Sequence, residues 1–324
     1  MTSRLAIDGD RFVQDGVPCN GSRRLRGKPL DGRLLGIDLA GTREDDTIAR
    51  VIEGAALAGA NAVTFTISHP DGEPAFASDG TPDAASLRRA ASILSRSSSA
   101  GLAPMVRVLG GSDPWRLARP DGIARAVGSV SAWVAAHDVP AAAILVDQAT
   151  SRPSRPASRT PRGTRAGIDQ LVAHVRVNGP PGILVGAGGP TGTSGADFRI
   201  RHVERHRHAV NRIRVDIEVR EAAAPEIRLG SGDDLQWPDG SLDAAVAAGA
   251  SWFLRMLPEH DAPARDERLD AFFETVRAAR DWKVRPSDHP MVSLADQRAA
   301  FRRHADAIRA LGLTPANAPA GAPR

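Results

Sequence analysis

The chain is poor in several residue types that bear on compartment and chemistry: it has no tyrosine, one cysteine and an aromatic content of 4%. The single cysteine, Cys19, excludes an intrachain disulfide and a zinc site built from several cysteines. No stretch approaches the ~20 apolar residues that a membrane span needs. The opening MTSRLAIDGDRF lacks the apolar core of a signal peptide. We therefore predict a soluble, cytoplasmic protein with no membrane partner.

Lysine is also scarce, because Lys28 and Lys283 are the only lysines among 42 basic residues. The arginine-rich remainder has two interpretations, the compositional bias of a GC-rich genome or a surface for anionic partners. Segment 149–166 (ATSRPSRPASRTPRGTRA) concentrates arginine without an acidic residue. It carries no aromatic side chain on which a base could stack. We predict a basic Ser/Pro/Arg loop there and no nucleic-acid partner.

Length and composition predict a large folded domain. The chain has 324 residues, of which 42% are hydrophobic, and this fits one large α/β barrel or two ordinary domains. Apolar runs alternate with helical patterns along most of it. The predicted strands are 34–40, 61–67, 102–108, 141–147, 182–188, 196–203, 225–230 and 251–257, and the helices between them include one capped by Thr42 and those at 82–99, 122–137, 168–177, 241–248 and 266–282.

Eight strands with intervening helices favour a TIM (β/α)8 barrel over an open doubly wound sheet. The sequence GIDLAGT after the first strand lacks the spacing of a nucleotide-binding glycine fingerprint. We divide the chain into an N-terminal β-hairpin and lead-in (1–33), the barrel (34–285), and an extra C-terminal helix with a disordered tail (286–324). Segment 211–219 (NRIRVDIEV) alternates like a strand where a helix is expected, and both readings stay open.

Charged and polar residues recur where the predicted strands end, which is where TIM barrels carry their sites. Two loop tryptophans on the same side could stack on sugar rings. The alternative for each residue is a strand-end or loop-anchoring role. The candidates are Asp38, His69, Arg107, Trp115, Asp147, Gln148, His202, Glu204, Arg205, Asp233, Asp234, Trp237 and Arg255.

The hairpin IDGDRFVQDGVP, the strand–helix order and the block ADFRIRHVERH…AAAPEIRLGSGDD…GASWFLRML resemble the retaining glycoside hydrolases of the (β/α)8 class, the cellulase-like superfamily. The resemblance implies an acid/base Glu after an Asn at the end of strand four, a His near the end of strand six and a nucleophile Glu at the end of strand seven. This chain has Asp147-Gln148, His202 and Leu229-Gly230 at those positions. Only the histidine matches, so the usual catalytic Glu positions are not kept.

Three carboxylates can replace the missing pair, and we predict Asp147, Glu204 and Asp234 as the catalytic groups. In the register implied by the resemblance, Gln148 rather than Asp147 faces the substrate. We predict substrate binding by Asp38, His69, Arg107, Trp115, Gln148, His202, Arg205, Asp233 and Trp237.

The run from His202 to His208 has the pattern H-x-E-x-H-x-H, but four ligands from one extended run rarely close a tetrahedral site. We predict no metal and no cofactor. The partner we expect is a saccharide, and the sequence predicts no particular oligomeric state.

Three functions remain open from the sequence. The first is a glycoside-hydrolase-like barrel that binds or hydrolyses a saccharide. The second is a catalytically inactive barrel that serves as a carbohydrate-binding or assembly component. The third is an unrelated TIM-barrel hydrolase or lyase that uses Asp38, His69, Asp147 and His202 at the strand ends.

Overall fold

A computed structural model describes the chain at residues 4–25, 27–39, 44–109, 120–146, 164–188, 195–203, 226–230, 245, 250–256 and 262–281. All of these residues belong to one compact unit, Met1–Trp282. Several predicted features lie outside them: the C-terminal helix and tail at 286–324, the segment 211–219 that was left open between strand and helix, most of the helix at 241–248 and most of the basic loop. The last three residues of that loop, 164–166, are helical. In the part of the chain so described, no helix is long and apolar enough to cross a bilayer.

The chain opens with small antiparallel strands. β1 (Leu5–Asp8), β2 (Arg11–Gln14) and β3 (Val17–Pro18) form one sheet, and β4 (Arg24–Leu25) pairs with β5 (Lys28–Pro29). The predicted hairpin is confirmed, but its turn is one residue later than predicted. Asp8 pairs with Arg11, so Gly9 and Asp10 form the turn and Gly9 takes a φ of 60° that suits a hairpin.

Eight parallel strands close into a barrel in chain order, which confirms the TIM fold. The closure is made where Trp252 of the last strand pairs with Leu35 of the first. The strands are β6 (Leu35–Asp38), β7 (Ala62–Thr66), β8 (Ala103–Arg107), β9 (Ala143–Val146), β10 (Leu184–Gly188), β11 (Phe198–Val203), β12 (Glu226–Gly230) and β13 (Ser251–Arg255).

Helices surround the barrel, and the described ones are α1 (Asp45–Ala58), α2 (Ala84–Ser99), α3 (Pro120–Ala136), α4 (Thr164–Asn178) and α5 (Ala262–Asp281). The predicted cap of α1 at Thr42 is wrong by two residues, because Glu44 holds the N-cap position. Its predicted end is right: Gly59 caps the helix with a φ of 93°, a left-handed conformation that glycine adopts without strain.

Side chains alternate between two apolar layers along each strand. Ala62, Met105 and Leu145 belong to the cluster inside the barrel, whereas Val63, Val106 and Ile144 belong to the cluster between the strands and the helices. This alternation fixes which positions at a strand end can face the barrel axis.

Two interior glycines make room for the aromatic rings that fill the barrel. A Cβ on Gly186 would lie 2.4 Å from the ring of Phe198, and one on Gly36 would lie 2.4 Å from the ring of Phe253. The phenylalanines therefore occupy space that side chains on the neighbouring strands would otherwise need.

The N-terminal sheet closes the amino-terminal end of the barrel. Leu5, Phe12 and Cys19 are buried in the interior cluster, and the ring of Phe12 meets that of Phe198 edge-on at 5.4 Å. Since Phe198 is the first residue of β11, this contact lies at the amino ends of the strands. The described residues thus fill the barrel axis at the amino ends of the strands.

Candidate functional site

Polar side chains cluster at the carboxyl ends of the first three barrel strands. Asp38 ends β6, Thr64 and Thr66 lie near the end of β7, and Arg107 ends β8. Strand pairing sets Asp38 opposite Thr64 and Thr66 opposite Arg107. All four continue the series of every second residue that points into the barrel. They therefore lie close together at the carboxyl ends of the three strands.

Asp38 and Arg107, the buried mouth pair, are joined by a charge-assisted hydrogen bond. Arg107 Nη1 donates to Asp38 Oδ1 at 3.0 Å and lies 3.1 Å from Oδ2. The hydroxyl of Thr64 donates to Asp38 Oδ1 at 2.6 Å, and Arg107 Nη1 also reaches Thr66 Oγ1 at 3.4 Å. Three consecutive strands are tied at the mouth by this network.

The mouth pair is fully buried, with Asp38 0% and Arg107 1% exposed. Removing one partner of a buried pair leaves an uncompensated charge and typically destabilises a fold by about 3–5 kcal/mol. Replacing both partners with apolar groups is often neutral. Stability alone therefore does not explain two charges at this place. Both residues were predicted to bind substrate, and that role stays a prediction.

His69 lies on the segment that connects β7 to α2 and contacts a different set of groups. Its Nδ1 accepts a hydrogen bond from the backbone N–H of Asp71 at 3.2 Å, and its Nε2 lies 3.6 Å from Asp83 Oδ2. Among the described residues its ring thus contacts Asp71 and Asp83 rather than the mouth pair.

Asp83 is the N-cap of α2, and its Oδ2 accepts a hydrogen bond from the backbone N–H of Ser86 at 2.8 Å. That hydrogen bond is the main cause that lowers the pKa of the Asp83 carboxyl. Aspartate is a preferred N-cap residue, but the predicted helix 82–99 placed Asp83 inside its first turn, and the structure begins the helix at Ala84.

The segment 67–83 is held to neighbouring helices at both ends. Arg89 of α2 bonds to Ser68 and to Asp45 in the first turn of α1, at 2.9 and 2.8 Å. Farther along, Asp79 pairs with Arg125 of α3 at 2.9 Å. These contacts hold the segment 67–83 against α2 and α3. No local sequence signal identifies Arg89, because its partners come from other units of the fold.

The remaining predicted site residues follow the later strands. Trp115, Asp147, Gln148, Glu204, Arg205, Asp233, Asp234 and Trp237 lie outside the described residues. His202 lies on β11 with its Cα paired to Leu229, and Arg255 ends β13 with its Cα paired to Asp38. Earlier on the same strand, Phe198 and Ile200 belong to the interior cluster.

Two cavities lined by described residues lie away from the mouth pair. One, of about 280 Å³, is lined by Leu5, Pro104, Ala142 and Ile183 at the amino ends of the strands. The other, of about 270 Å³, lies between α1 and α5 beside Arg50 and Phe273. Within the same residues no three His, Cys, Asp or Glu side chains are grouped so that they could hold a metal ion.

The closed barrel defines the class: this is a (β/α)8 protein. No protein-family model and no curated protein matches the sequence. Among solved structures, the chain is similar to an endo-1,4-β-mannanase from Eisenia fetida, with 11% identity, 86% of this chain and 96% of that chain covered, and a TM-score of 0.56. A β-mannanase from the blue mussel Mytilus edulis gives 12% identity, 87% and 98% coverage and a TM-score of 0.55.

An endo-1,4-β-mannanase from Rhizomucor miehei is similar to the same extent, with 14% identity, 84% and 100% coverage and a TM-score of 0.54. These likenesses confirm at the level of the fold the predicted resemblance to (β/α)8 glycoside hydrolases.

Proposed function

We propose that this barrel binds a saccharide at the carboxyl ends of its strands and hydrolyses a glycosidic bond there. The observation that carries the proposal is the pair of charges buried at this end of a barrel with the fold of β-mannanases. A TIM barrel uses this end for chemistry whatever the reaction. Leu5 and Phe12 fill the opposite end of the barrel, which also supports a site at the carboxyl ends.

The described part of β9 favours Asp147 over Gln148 as the acid. Ala143 and Leu145 are interior, whereas Ile144 and Val146 face the helices. Continued alternation predicts that position 147 is interior and that position 148 is not. This reverses the assignment that the resemblance implies and gives the strand a residue that can carry a proton.

In the proposed reaction Asp147 donates a proton to the oxygen of the leaving sugar. A second carboxylate, Glu204 or Asp234, attacks the anomeric carbon or removes a proton from water. Carboxyl groups about 5 Å apart would give a covalent intermediate with retention, and about 6.5–9.5 Å apart would give inversion. Gln148, Arg205, Asp233 and the loop tryptophans Trp115 and Trp237 are proposed to bind the sugar, as are His69, His202 and the mouth pair.

The test is hydrolysis of an aryl-glycoside panel and of β-1,4-mannan by the wild-type chain and by Asp147→Asn. We expect activity on at least one substrate and a loss of at least about 100-fold in the variant, the lower range for general acid catalysis. Glu204→Gln and Asp234→Asn identify the second group. Equal rates for the wild type and Asp147→Asn would remove Asp147 from the mechanism.

The carboxyl end of β12, the seventh strand of the barrel, favours a second candidate, a catalytically inactive saccharide-binding barrel. β12 ends in Leu229 and Gly230, so its last two residues carry no carboxylate. Calorimetric titration with a β-1,4-linked manno-oligosaccharide separates the two candidates. Binding without hydrolysis of any substrate in the panel would support the inactive barrel.

A further inference from the structure

Thr66 is the point at which the first five barrel strands expose a side chain. In β6, β7, β8, β9 and β10 every residue is buried except Thr66, the last residue of β7. Ala62 and Thr64 precede it at the positions of β7 that point into the barrel, and both are buried. Of the residues in these five strands, Thr66 is therefore the one that a ligand can contact, because the mouth pair itself is enclosed.

The hydroxyl of Thr66 is tied to the mouth pair. Nη1 of Arg107 carries two hydrogens, and it lies 3.0 and 3.1 Å from the carboxylate oxygens of Asp38 and 3.4 Å from Thr66 Oγ1. Just past Thr66, the backbone N–H of Ile67 donates to the carbonyl of Arg107 at 3.0 Å, which fixes β7 against β8 at this height. The orientation of the Thr66 side chain therefore depends on Arg107.

The direction of this hydrogen bond decides what Thr66 offers to a ligand. A guanidinium only donates, so Arg107 occupies an acceptor position on Thr66 Oγ1 and leaves the O–H hydrogen for another acceptor. Asp38 holds the guanidinium from its other side and also accepts from the hydroxyl of Thr64. Arg107 would have to break a buried ion pair in order to turn away from Thr66.

We propose that Thr66 is a specificity-determining residue that donates a hydrogen bond to an oxygen of the saccharide, and that the mouth pair acts on the sugar through it. The inference rests on the proposed function and makes Asp38 and Arg107 positioning residues. Every sugar hydroxyl has lone pairs that can accept such a bond. A site built to bond a polar group of its ligand discriminates strongly against analogues that lack the group.

Two substitutions at position 66 separate the hydroxyl from the shape of the side chain. Thr66→Val keeps the branched shape and removes the hydroxyl, whereas Thr66→Ser keeps the hydroxyl and removes the methyl group. In calorimetric titration with a β-1,4-linked manno-oligosaccharide, Kd should rise about 3- to 10-fold in Thr66→Val and stay within about 2-fold in Thr66→Ser. Thr275→Val is the matched control, because Thr275 is also half-buried but its hydroxyl bonds to Ala271 within α5. It should leave Kd unchanged.

A double-mutant cycle tests whether the mouth pair acts through Thr66. Asp38→Asn/Arg107→Met removes both charges and the guanidinium but leaves an acceptor for Thr64, and removing both charges of a buried pair costs far less than removing one. This variant should weaken binding about as much as Thr66→Val does, and Thr66→Val added to it should weaken binding no further. Effects that add would show that the mouth pair and Thr66 act independently, and would overturn the positioning role.

The orientation of Thr66 can also be measured without a ligand. Three-bond couplings from its methyl carbon to the backbone nitrogen and carbonyl carbon report the χ1 angle. We expect one rotamer in the wild type and an average over rotamers in Asp38→Asn/Arg107→Met, while the couplings of Thr275 stay the same. Unchanged couplings at Thr66 overturn the positioning role.

These outcomes separate the inference from the function on which it rests. Equal Kd values for the wild type and Thr66→Val overturn the inference and leave the proposed function intact. A chain that binds and hydrolyses no sugar while its couplings respond refutes the proposed function, and the role of Thr66 in recognition falls with it. If the double variant fails to fold, the order of the wild type, Thr66→Ser and Thr66→Val still decides, because both single changes fall at a half-buried position.

Discussion

The glycines inside the barrel are fixed by the rings that face them. Gly186→Ala would set a methyl group 2.4 Å from the ring of Phe198, so we expect a loss of about 1–3 kcal/mol in the free energy of unfolding. Gly167→Ala is the control, because this glycine lies in α4 and, outside its own helix, no described atom lies within 4 Å of the added Cβ. There the change should stabilise the chain by roughly 0.5–1 kcal/mol. Urea unfolding measures both, and equal effects would contradict this account of the interior.

Cys19 is predicted to be chemically inert in the folded chain. Burial raises the pKa of its thiol from 9.0 to about 12. A thiol reagent at pH 8 should therefore label the native protein far more slowly than the urea-unfolded protein.

The same shift has a consequence for stability. The raised pKa contributes stability that is complete below pH 9 and is lost as the pH rises towards 12. Cys19→Ala should remove this component of the alkaline slope. Rapid labelling of the native chain, or an unchanged slope in the variant, would contradict the burial of Cys19.

At the scale of residues, position in the strand pattern predicted which side chains reach the mouth but not what they contact there. Asp38 and Arg107 were found because each ends an apolar run. Their bond joins strands one and three across Thr64, and a pairing of that kind depends on barrel closure rather than on any local signal. Arg89 was missed for the same reason.

At the scale of elements, the N-cap of α2 is a measurable contributor to stability. Asp83→Ala removes the acceptor of the Ser86 N–H, and we expect a loss of about 1 kcal/mol at neutral pH. Because the pKa of Asp83 is lowered in the folded state, this contribution is present above the unfolded pKa and disappears as the pH falls through the folded one. Wild type and variant should therefore converge in stability at low pH.

Glu44 offers the matched control for that change. It holds the N-cap of α1 but makes no capping hydrogen bond with its side chain. Glu44→Ala should cost less stability than Asp83→Ala when both are measured by urea unfolding. The opposite order would show that the capping bond is not the origin of the effect.

Periodicity predicted the barrel strands to within a few residues because buried parallel strands are short, apolar and separated by amphipathic helices. It did not predict β3, β4 and β5, since a strand of two residues has no period to detect. The assignment of Gln148 to the interior came from the resemblance. Gln148 and Asp147 both lie outside the described residues, so this assignment stays a prediction.

At the scale of the whole molecule, the barrel has one apolar end and one charged end. Phe12 is fully buried where the N-terminal sheet meets the interior cluster. Phe12→Ala should cost about 3–5 kcal/mol of unfolding free energy, since it removes a buried aromatic ring and leaves a cavity. Val17→Ala, on the same sheet but 65% exposed, should change stability by no more than about 0.5 kcal/mol. A small effect at Phe12 would mean that the sheet does not close the barrel.

This polarity of the molecule is the basis of the proposed function. The amino end of the barrel is filled by Leu5, Phe12 and Phe198. The carboxyl end carries the mouth pair, and the segment 67–83, which bonds to Arg89 through Ser68, begins there. Fold class and the end of the barrel that carries polar residues followed from the sequence. The burial of the mouth pair did not, because it depends on how three strands meet.

The most direct test of a saccharide site at the carboxyl ends is to locate the bound sugar by methyl NMR during titration with a β-1,4-linked manno-oligosaccharide. The methyl of Thr66, half-buried beside the mouth pair, should shift with ligand concentration. The methyls of Val139 and Ile183, which line the cavity at the amino end, should not move. A saturating ligand that leaves Thr66 in place, or that shifts Val139 and Ile183 instead, would contradict the account.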